Sequence, residues 1–251
     1  MVSPPRIRGV LVPEALRVLG GIMSKTAIFI DGGFYRKRAK TLWGKKTPDD
    51  RASELYAYCQ AHLKHEQRHD DFRSLYRIFY YDCPPLSKTV FHPLKQKGID
   101  FRHSETYSWT LKFFENLRKQ RKVALRLGEL SDARAGFDLS QVKLKDLCSG
   151  KTEIKDLEEN DFSVTFEQKG VDMRIGVDIA SVTFKKQVDQ IVLISGDSDF
   201  VPAAKLARRE GIDFILDPMW TDIKKNLFEH IDGLRSNWGK KKKRDEETES
   251  E

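Results

Sequence analysis

The sequence predicts an α/β fold, a Rossmann-like three-layer sandwich with a mainly parallel central sheet. Two short apolar segments, Thr26–Asp31 and Ile191–Ser195, show almost no polar alternation. That pattern is typical of parallel strands covered on both faces. Segments of this kind alternate along the chain with stretches of helical length, and this order favours parallel strands joined by right-handed crossovers.

The predicted strands follow one another between turn signals. A Pro84-Pro85 pair ends the second strand, and Lys169-Gly170 ends the fourth. In chain order, we expect strands at Thr26–Asp31, Leu75–Asp82, Val123–Leu130, Phe162–Gln168, Gln190–Ser195 and Phe214–Leu216.

The predicted helices lie between these strands. One of them begins near Asp172 and carries Ile175, Ile179 and Val182 as an apolar stripe of helical spacing. The other expected helices span Arg51–Gln67, Tyr107–Gln120, Val201–Glu210 and Asp222–Leu234.

The domain organisation follows from changes in composition. Met23 stands three residues before the first strand, so we expect residues 1–23 to be an N-terminal extension, with Met23 as a second candidate start. The alternative is a helix around Glu14–Leu19 that packs on the domain. Residues 24–235 form one domain, with a polar, weakly periodic insertion at about 131–160 that we expect to be a loop or flap. Residues 236–251 form a charged tail that we expect to be disordered.

The composition indicates which class of partner and which cellular compartment to expect. The net charge of +7 and the pI of about 9.2 suit a polyanionic partner. The chain has three cysteines without CxxC spacing, which indicates reduced thiols and a cytoplasmic setting. No segment is long enough to span a membrane, so we expect no membrane partner, and a homo-oligomer remains open.

Three junctions between a strand and a helix each deliver a carboxylate. They are Asp31, which precedes Gly32-Gly33, then Asp172, and then Asp197 with Asp199 in the segment SGDSDF. In open α/β sheets, ligands bind outside the carboxyl ends of the strands. The alternative interpretation is that these residues serve only as turn and helix-capping residues.

Carboxylates that converge at one edge repel each other unless a cation or protons neutralise them. Oxygen ligands without His or Cys favour Mg²⁺ or Mn²⁺ over zinc. Asp178 follows Asp172 by six residues, hence about 120° around a helix and about 9 Å along it, so it is not expected to share an ion directly.

These motifs, taken in order, resemble a known family. The segments FIDGGF, YYDCPP, VALRLGEL, KGVDMRIGVDIA and SGDSDFVPAAKLARREG resemble the NYN domain, a PIN-like metal-dependent nuclease fold that includes the LabA and DUF88 group. The resemblance extends from about Lys25 to Leu216. It implies a Rossmann-like sheet with an acidic pocket that holds Mg²⁺ or Mn²⁺ and cleaves RNA.

The resemblance also implies roles for single residues. Asp31, Asp172 and Asp197 match the metal-binding acids of the family, and Asp199 matches its accessory acid. Many relatives have an Asn shortly after the first acid, whereas this chain has Phe34. We expect Arg36, Arg38 and Arg126 to contact phosphates, because they lie close to the predicted site along the sequence.

Three functions therefore remain in view. The first is a metal-dependent ribonuclease, expected to be an endoribonuclease, whose RNA target and cleavage mode the sequence leaves open. The second is an RNA-binding module of the same fold with weak or no catalysis, an alternative that Phe34 keeps open. The third is a phosphohydrolase with an Asp nucleophile. This class requires an acid pair after the first strand, and Asp31-Gly32-Gly33 does not supply one.

Overall fold

A computed structural model describes residues 24–64 and 73–239. The predicted N-terminal extension therefore lies outside the described residues, as does the predicted tail from residue 240 onward. In the described part of the chain, no helix is both long and apolar enough to cross a membrane.

Residues 24–64 and 73–239 contain ten strands: β1 (Ser24–Asp31), β2 (Arg73–Asp82), β3 (Thr89–His92), β4 (Lys97–Asp100), β5 (Val123–Leu127), β6 (Glu129–Leu139), β7 (Phe162–Lys169), β8 (Gln190–Ile194), β9 (Asp213–Asp217) and β10 (Gly233–Leu234). The seven α-helices of the described residues are α1 (Gly32–Trp43), α2 (Pro48–Ala61), α3 (Glu105–Lys119), α4 (Gln141–Cys148), α5 (Val171–Phe184), α6 (Val201–Arg209) and α7 (Lys225–Phe228).

Six strands form the central sheet in the order β10-β9-β8-β1-β2-β5, and every neighbouring pair is parallel. The chain builds one half of the sheet outward from β1 through β2 to β5. It then returns to the other side of β1 and continues through β8 to β10. The switch point therefore lies between β1 and β8, where α/β sheets of this kind leave a crevice outside the carboxyl ends of the strands.

Helices cover both faces of the sheet, which confirms the predicted three-layer α/β fold. Successive residues of each strand point to opposite faces. In β1, for example, Phe29 joins the core under α5 and α6, whereas Ile28 and Ile30 join the core under α1, α2 and α3. Burial on both faces explains why these strands are uniformly apolar in the sequence.

The insertion is more ordered than the sequence indicates. Strands β6 and β7 form an antiparallel hairpin, and α4 lies in the connection between them. The predicted strand Val123–Leu130 is interrupted at Gly128, where a Cβ atom would lie 2.7 Å from the carbonyl oxygen of Lys169. This close approach of backbone ends β5 and lets the chain leave the central sheet.

The C-terminal part also departs from the prediction. Instead of one helix over Asp222–Leu234, the chain forms the single turn α7 and then adds β10 to the edge of the sheet. Ser236 and Trp238, which we assigned to the tail, pack on the domain: Ser236 donates a hydrogen bond to Asp217, and the Trp238 ring contacts Trp43 and Tyr58. The hairpin of β3 and β4 was missed because its strands are four residues long and partly polar.

Candidate active site

Asp31 ends β1 and caps the first turn of α1. Its carboxylate accepts a hydrogen bond of 3.1 Å from the Phe34 backbone N–H. The chain can turn here because residue 32 is glycine: a Cβ atom at Gly32 would lie 2.5 Å from the Tyr81 carbonyl oxygen and 2.6 Å from the Tyr80 ring. The turn leaves Asp31 at the carboxyl edge of the sheet.

The environment of Asp31 disfavours its charge. Burial raises the pKa of Asp31 from 3.8 to about 6, the Phe34 N–H opposes this rise, and the negative charges of Asp172 and Asp82 add to it. Asp31 is therefore electrostatically coupled to acids on two other elements.

Asp197 and Asp199 follow β8, the strand next to β1. The Asp197 N–H donates to the hydroxyl of buried Ser195 at 3.2 Å, and the Asp197 carboxylate accepts the Asp199 N–H at 3.0 Å. Asp197 therefore caps the short 3₁₀ turn Ser198–Phe200, as the capping interpretation expects. Because both carboxylates are also exposed, capping leaves them accessible to a ligand.

Asp172 reaches this place from the first turn of α5. Gly170 precedes the helix with a φ of 78°, a left-handed conformation that glycine adopts without strain. Partial burial raises the pKa of the Asp172 carboxyl, and the charges of Asp197 and Asp199 raise it further. Asp31, Asp172, Asp197 and Asp199 thus form one electrostatic cluster at the switch point, named here the acidic edge.

The acidic edge fits a hard divalent cation by its chemistry, because its donors are carboxylate oxygens only. However, the structure does not confirm the expectation that the acids already lie within ion-bridging distance. Over residues 24–64 and 73–239, no three His, Cys, Asp or Glu side chains are placed so that they could hold one metal ion.

Asp178 and Arg126 are engaged with each other beside the acidic edge. The Tyr81 hydroxyl donates to the Asp178 carboxylate at 2.7 Å, and the Arg126 Nε lies 3.5 Å from the same oxygen. The guanidinium of Arg126 also lies 5.9 Å from the centroid of the Phe79 ring. Arg126 remains half exposed, so phosphate contact would require it to give up or share Asp178.

The other two predicted phosphate contacts are also used within the protein. The Arg36 guanidinium forms a 2.9 Å ion pair with the buried carboxylate of Asp82, the last residue of β2. Both the Nε and a terminal nitrogen of Arg38 donate to the Met219 carbonyl oxygen, at 3.1 and 2.6 Å. Both guanidinium groups are thus engaged within the protein, and their contact with phosphates stays a prediction.

Two strand-end acids that we did not select as site residues complete this edge of the sheet. Besides Arg36, Asp82 accepts hydrogen bonds from the Tyr80 hydroxyl at 3.1 Å and the Cys83 N–H at 2.8 Å. Burial raises the pKa of Asp82, and the nearby Arg36 charge opposes that rise. Asp217 is fully buried at the end of β9. An acid at the end of an apolar strand was the available sequence signal for both.

Phe34 lies between Asp31 and the SGDSDF turn. A Cβ atom added to Gly196 would lie 2.8 Å from the Cε2 atom of the Phe34 ring. The ring therefore packs against the turn that carries Asp197, and the glycine at 196 makes room for it.

Comparison with known proteins gives one family match. Residues 103–222 match the family model of the NYN domain, and this segment contains Asp172, Asp197 and Asp199, whereas Asp31 precedes it. No curated protein matches the chain. A crystal structure of a protein of unknown function from Vibrio parahaemolyticus RIMD 2210633 is similar with a TM-score of 0.43 and 12% identity, over 84% of this chain and 91% of that one. Residues 103–222 therefore carry the match to the NYN domain, and NYN is a family of PIN-like nucleases.

Proposed function

We propose that this protein is a divalent-metal-dependent ribonuclease that hydrolyses phosphodiester bonds at the acidic edge. One observation carries the proposal: Asp172 is coupled to Asp197 and Asp199, and Asp31 is coupled to Asp172. Only backbone N–H groups, from Phe34 and Gly33, lower the pKa of Asp31, and no basic side chain offsets the rise at Asp172. Clustered carboxylates without a cationic side chain are a suitable site for an added cation.

The proposal assigns a role to each acid. Asp31, Asp172 and Asp197 would hold Mg²⁺ or Mn²⁺, and Asp199 would orient a water molecule or a ligand beside them. When bound, such an ion supplies charge stabilisation at the scissile phosphate and lowers the pKa of an attacking water. The protein fixes Asp31 through the Phe34 N–H and Asp197 through Ser195, so two of the acids are held by short local hydrogen bonds. No covalent enzyme intermediate is needed.

The cysteines suit a cytoplasmic protein. Cys59 and Cys83 are buried, Cys148 is exposed, and all three are free thiols. Free thiols persist in reducing compartments, and RNA is available as a substrate in the cytoplasm.

The test is incubation of the purified chain with end-labelled RNA and DNA of the same sequence, in Mg²⁺, in Mn²⁺ and in EDTA. We expect cleavage of RNA that requires a divalent ion and is lost in Asp197→Asn. The matched control is Asp49→Asn, which removes one exposed carboxylate in the first turn of α2, away from the acidic edge. Cleavage that persists in Asp197→Asn, or that is lost equally in Asp49→Asn, would contradict the proposal.

An RNA-binding module with little or no catalysis is the second candidate. Phe34 favours it, because the resemblance to the NYN domain leads us to expect a polar Asn near this position. This candidate predicts that RNA binds in every buffer and remains intact in both divalent ions.

A further inference from the structure

A basic groove runs along α1 away from the acidic edge. It begins at Gly33 and Arg36 in the first turn of α1, passes Lys37 and Lys40, and reaches Lys45 and Lys46 in the loop before α2. The first turn of α3, with Trp109 one turn further along, forms the opposite wall. The groove has a volume of about 540 Å³, and we refer to it as the basic groove.

Three lysines of the basic groove have positive charges that no acidic side chain of the described residues neutralises. Lys37, Lys40 and Lys45 are exposed, and none forms an ion pair within residues 24–64 and 73–239. By contrast, Lys46 and Arg51 both pair with Glu54. Glu105 is the only acid that lines this part of the described surface. The groove is therefore complementary to a chain of negative charges.

Two buried polar atoms beside the basic groove have no hydrogen-bond partner in the described structure. They are the Nε of Arg36 and the hydroxyl of Thr110, which is 1% exposed. Buried donors without a partner are uncommon in folded proteins. The two atoms lie on facing helices, Arg36 on α1 and Thr110 on α3, so a polar ligand or a water between the helices could partner them.

Beyond Lys45 and Lys46 the basic groove opens into a second cavity of about 1120 Å³. Its lining includes Trp43, Trp109 and Trp238 and also the acids Asp50, Glu54 and Glu105, so bases rather than phosphates suit this cavity. The Trp109 ring stacks on Phe113 with a centroid distance of 5.1 Å and is held by a 3.0 Å hydrogen bond from its indole N–H to the Lys46 carbonyl oxygen. Trp238 is 41% exposed. Aromatic rings held in this way suit stacking with unpaired bases.

We propose that the basic groove and the tryptophan cavity bind single-stranded RNA and lead it to the acidic edge. Phosphates lie along Lys37, Lys40 and Lys45, and unpaired bases contact Trp109 and Trp238. A duplex is excluded from the tryptophan cavity because its bases stack on each other and are not available to the rings. The proposal rests on the ribonuclease activity proposed above and adds the form of the substrate and its path.

The test measures binding in EDTA, where no cleavage is expected, by fluorescence anisotropy with a labelled 12-nucleotide RNA, alone or annealed to its complement. We expect the single strand to bind at least tenfold more tightly than the duplex. The triple variant Lys37→Glu, Lys40→Glu, Lys45→Glu should lose at least tenfold in affinity, and the slope of log K against log salt should fall by about 2, since each phosphate contact on a single strand contributes about 0.7.

The matched control is Lys25→Glu, Lys185→Glu, Arg209→Glu. These exposed residues lie at the start of β1 and the ends of α5 and α6, on the opposite edge of the sheet, and the net charge changes equally. We expect this variant to bind within about twofold of wild type. Equal loss in both triple variants, duplex binding as tight as single-strand binding, or no RNA binding by wild type would each overturn the proposal.

The tryptophan cavity is tested with Trp109→Leu and Trp109→Phe. Stacking on Trp109 predicts that the Leu variant loses about fivefold or more in affinity and that the Phe variant recovers most of it. Two equally weak variants with wild-type thermal unfolding would contradict base stacking at this residue. Because every measurement is made without divalent ions, loss of the groove and absence of catalysis are distinguishable results.

Discussion

Four neighbouring strands of the sheet, in the order β9, β8, β1 and β2, each have an aspartate at or just beyond the carboxyl end. These four aspartates differ in how many hydrogen bonds they accept from the protein. Asp217 accepts four hydrogen bonds: from the Tyr58 hydroxyl at 2.5 Å, the His62 Nε2 at 2.8 Å, the Ser236 hydroxyl at 2.7 Å and the Met219 N–H at 2.8 Å. Asp82 accepts three, one of them from Arg36.

Asp31 and Asp197, on the two inner strands, accept fewer hydrogen bonds than Asp217 and Asp82. Within residues 24–64 and 73–239, Asp31 and Asp197 accept hydrogen bonds from backbone N–H groups only, and no side chain donates to either. A carboxylate that accepts several hydrogen bonds from the protein stabilises the segments that donate them. A carboxylate that accepts few such bonds still has oxygen lone pairs available to a ligand. The outer pair therefore stabilises the edge, and the inner pair faces the switch point.

The largest expected difference between the two pairs is in catalysis. Asp31→Asn or Asp197→Asn should lower RNA cleavage roughly a thousandfold while RNA binding is kept or strengthened, because less negative charge faces the phosphates. Asp217→Asn should leave cleavage within about tenfold when measured well below its unfolding temperature. Single-turnover rates measure cleavage, and fluorescence anisotropy on the same RNA measures binding. A folded but inactive Asp217→Asn variant would contradict the expected difference between the inner and outer acids.

The second difference is in stability. Asp217→Ala leaves Tyr58, His62 and Ser236 without their acceptor in a buried site, so we expect a loss of roughly 3 to 5 kcal/mol in the free energy of unfolding. Asp197→Ala removes an exposed cap and should cost only about 1 kcal/mol. Urea unfolding in EDTA measures both, and equal losses would show that the number of donors does not separate the two acids.

A third prediction concerns pH. The pKa of Asp31 is about 6 in the folded protein against an ordinary value of 3.8, so the folded state binds the proton more tightly. Wild type should therefore lose up to about 3 kcal/mol of stability as the pH rises from about 4 to above 6. Asp31→Asn keeps an acceptor for the Phe34 N–H and carries no charge.

Unfolding free energies of wild type and Asp31→Asn, measured without divalent ions across this pH range, provide the test. The variant should become the more stable protein above about pH 6, and the difference should shrink toward pH 4. If the difference in unfolding free energy does not change with pH, the charge of Asp31 does not destabilise the folded state.

The smallest expected effect is at the contact between Phe34 and Gly196. Gly196→Ala should cost roughly 1 to 3 kcal/mol, because its Cβ would lie 2.8 Å from the Phe34 ring. Phe34→Ala removes that obstacle, so the double variant should show a favourable coupling energy in a double-mutant cycle. Strictly additive losses would indicate that the ring moves aside freely and does not hold the turn.

The sequence alone predicted five of the six strands of the central sheet, all except β10, and suggested the candidate acids. Uniformly apolar strands indicate burial on both faces, and strands that alternate with helices predict parallel pairing. The carboxyl ends of the strands must then share an edge, which is why Asp31 and Asp197 could be placed together before the order of the strands was known. The helix of Asp172 was also predictable, because Ile175, Ile179 and Val182 repeat at helical spacing and all three are buried.

Only the tertiary structure decided which polar side chains are already in use. Arg36, Arg38 and Arg126 follow or flank the site in sequence, yet each is bound to a group of the protein: Asp82, the Met219 carbonyl and Asp178 respectively. These partners are separated by 46, 181 and 52 positions along the chain (82 − 36, 219 − 38 and 178 − 126). No local pattern reports contacts at such separations, so the sequence could name the charged residues near the edge but could not say which of them are free to bind RNA.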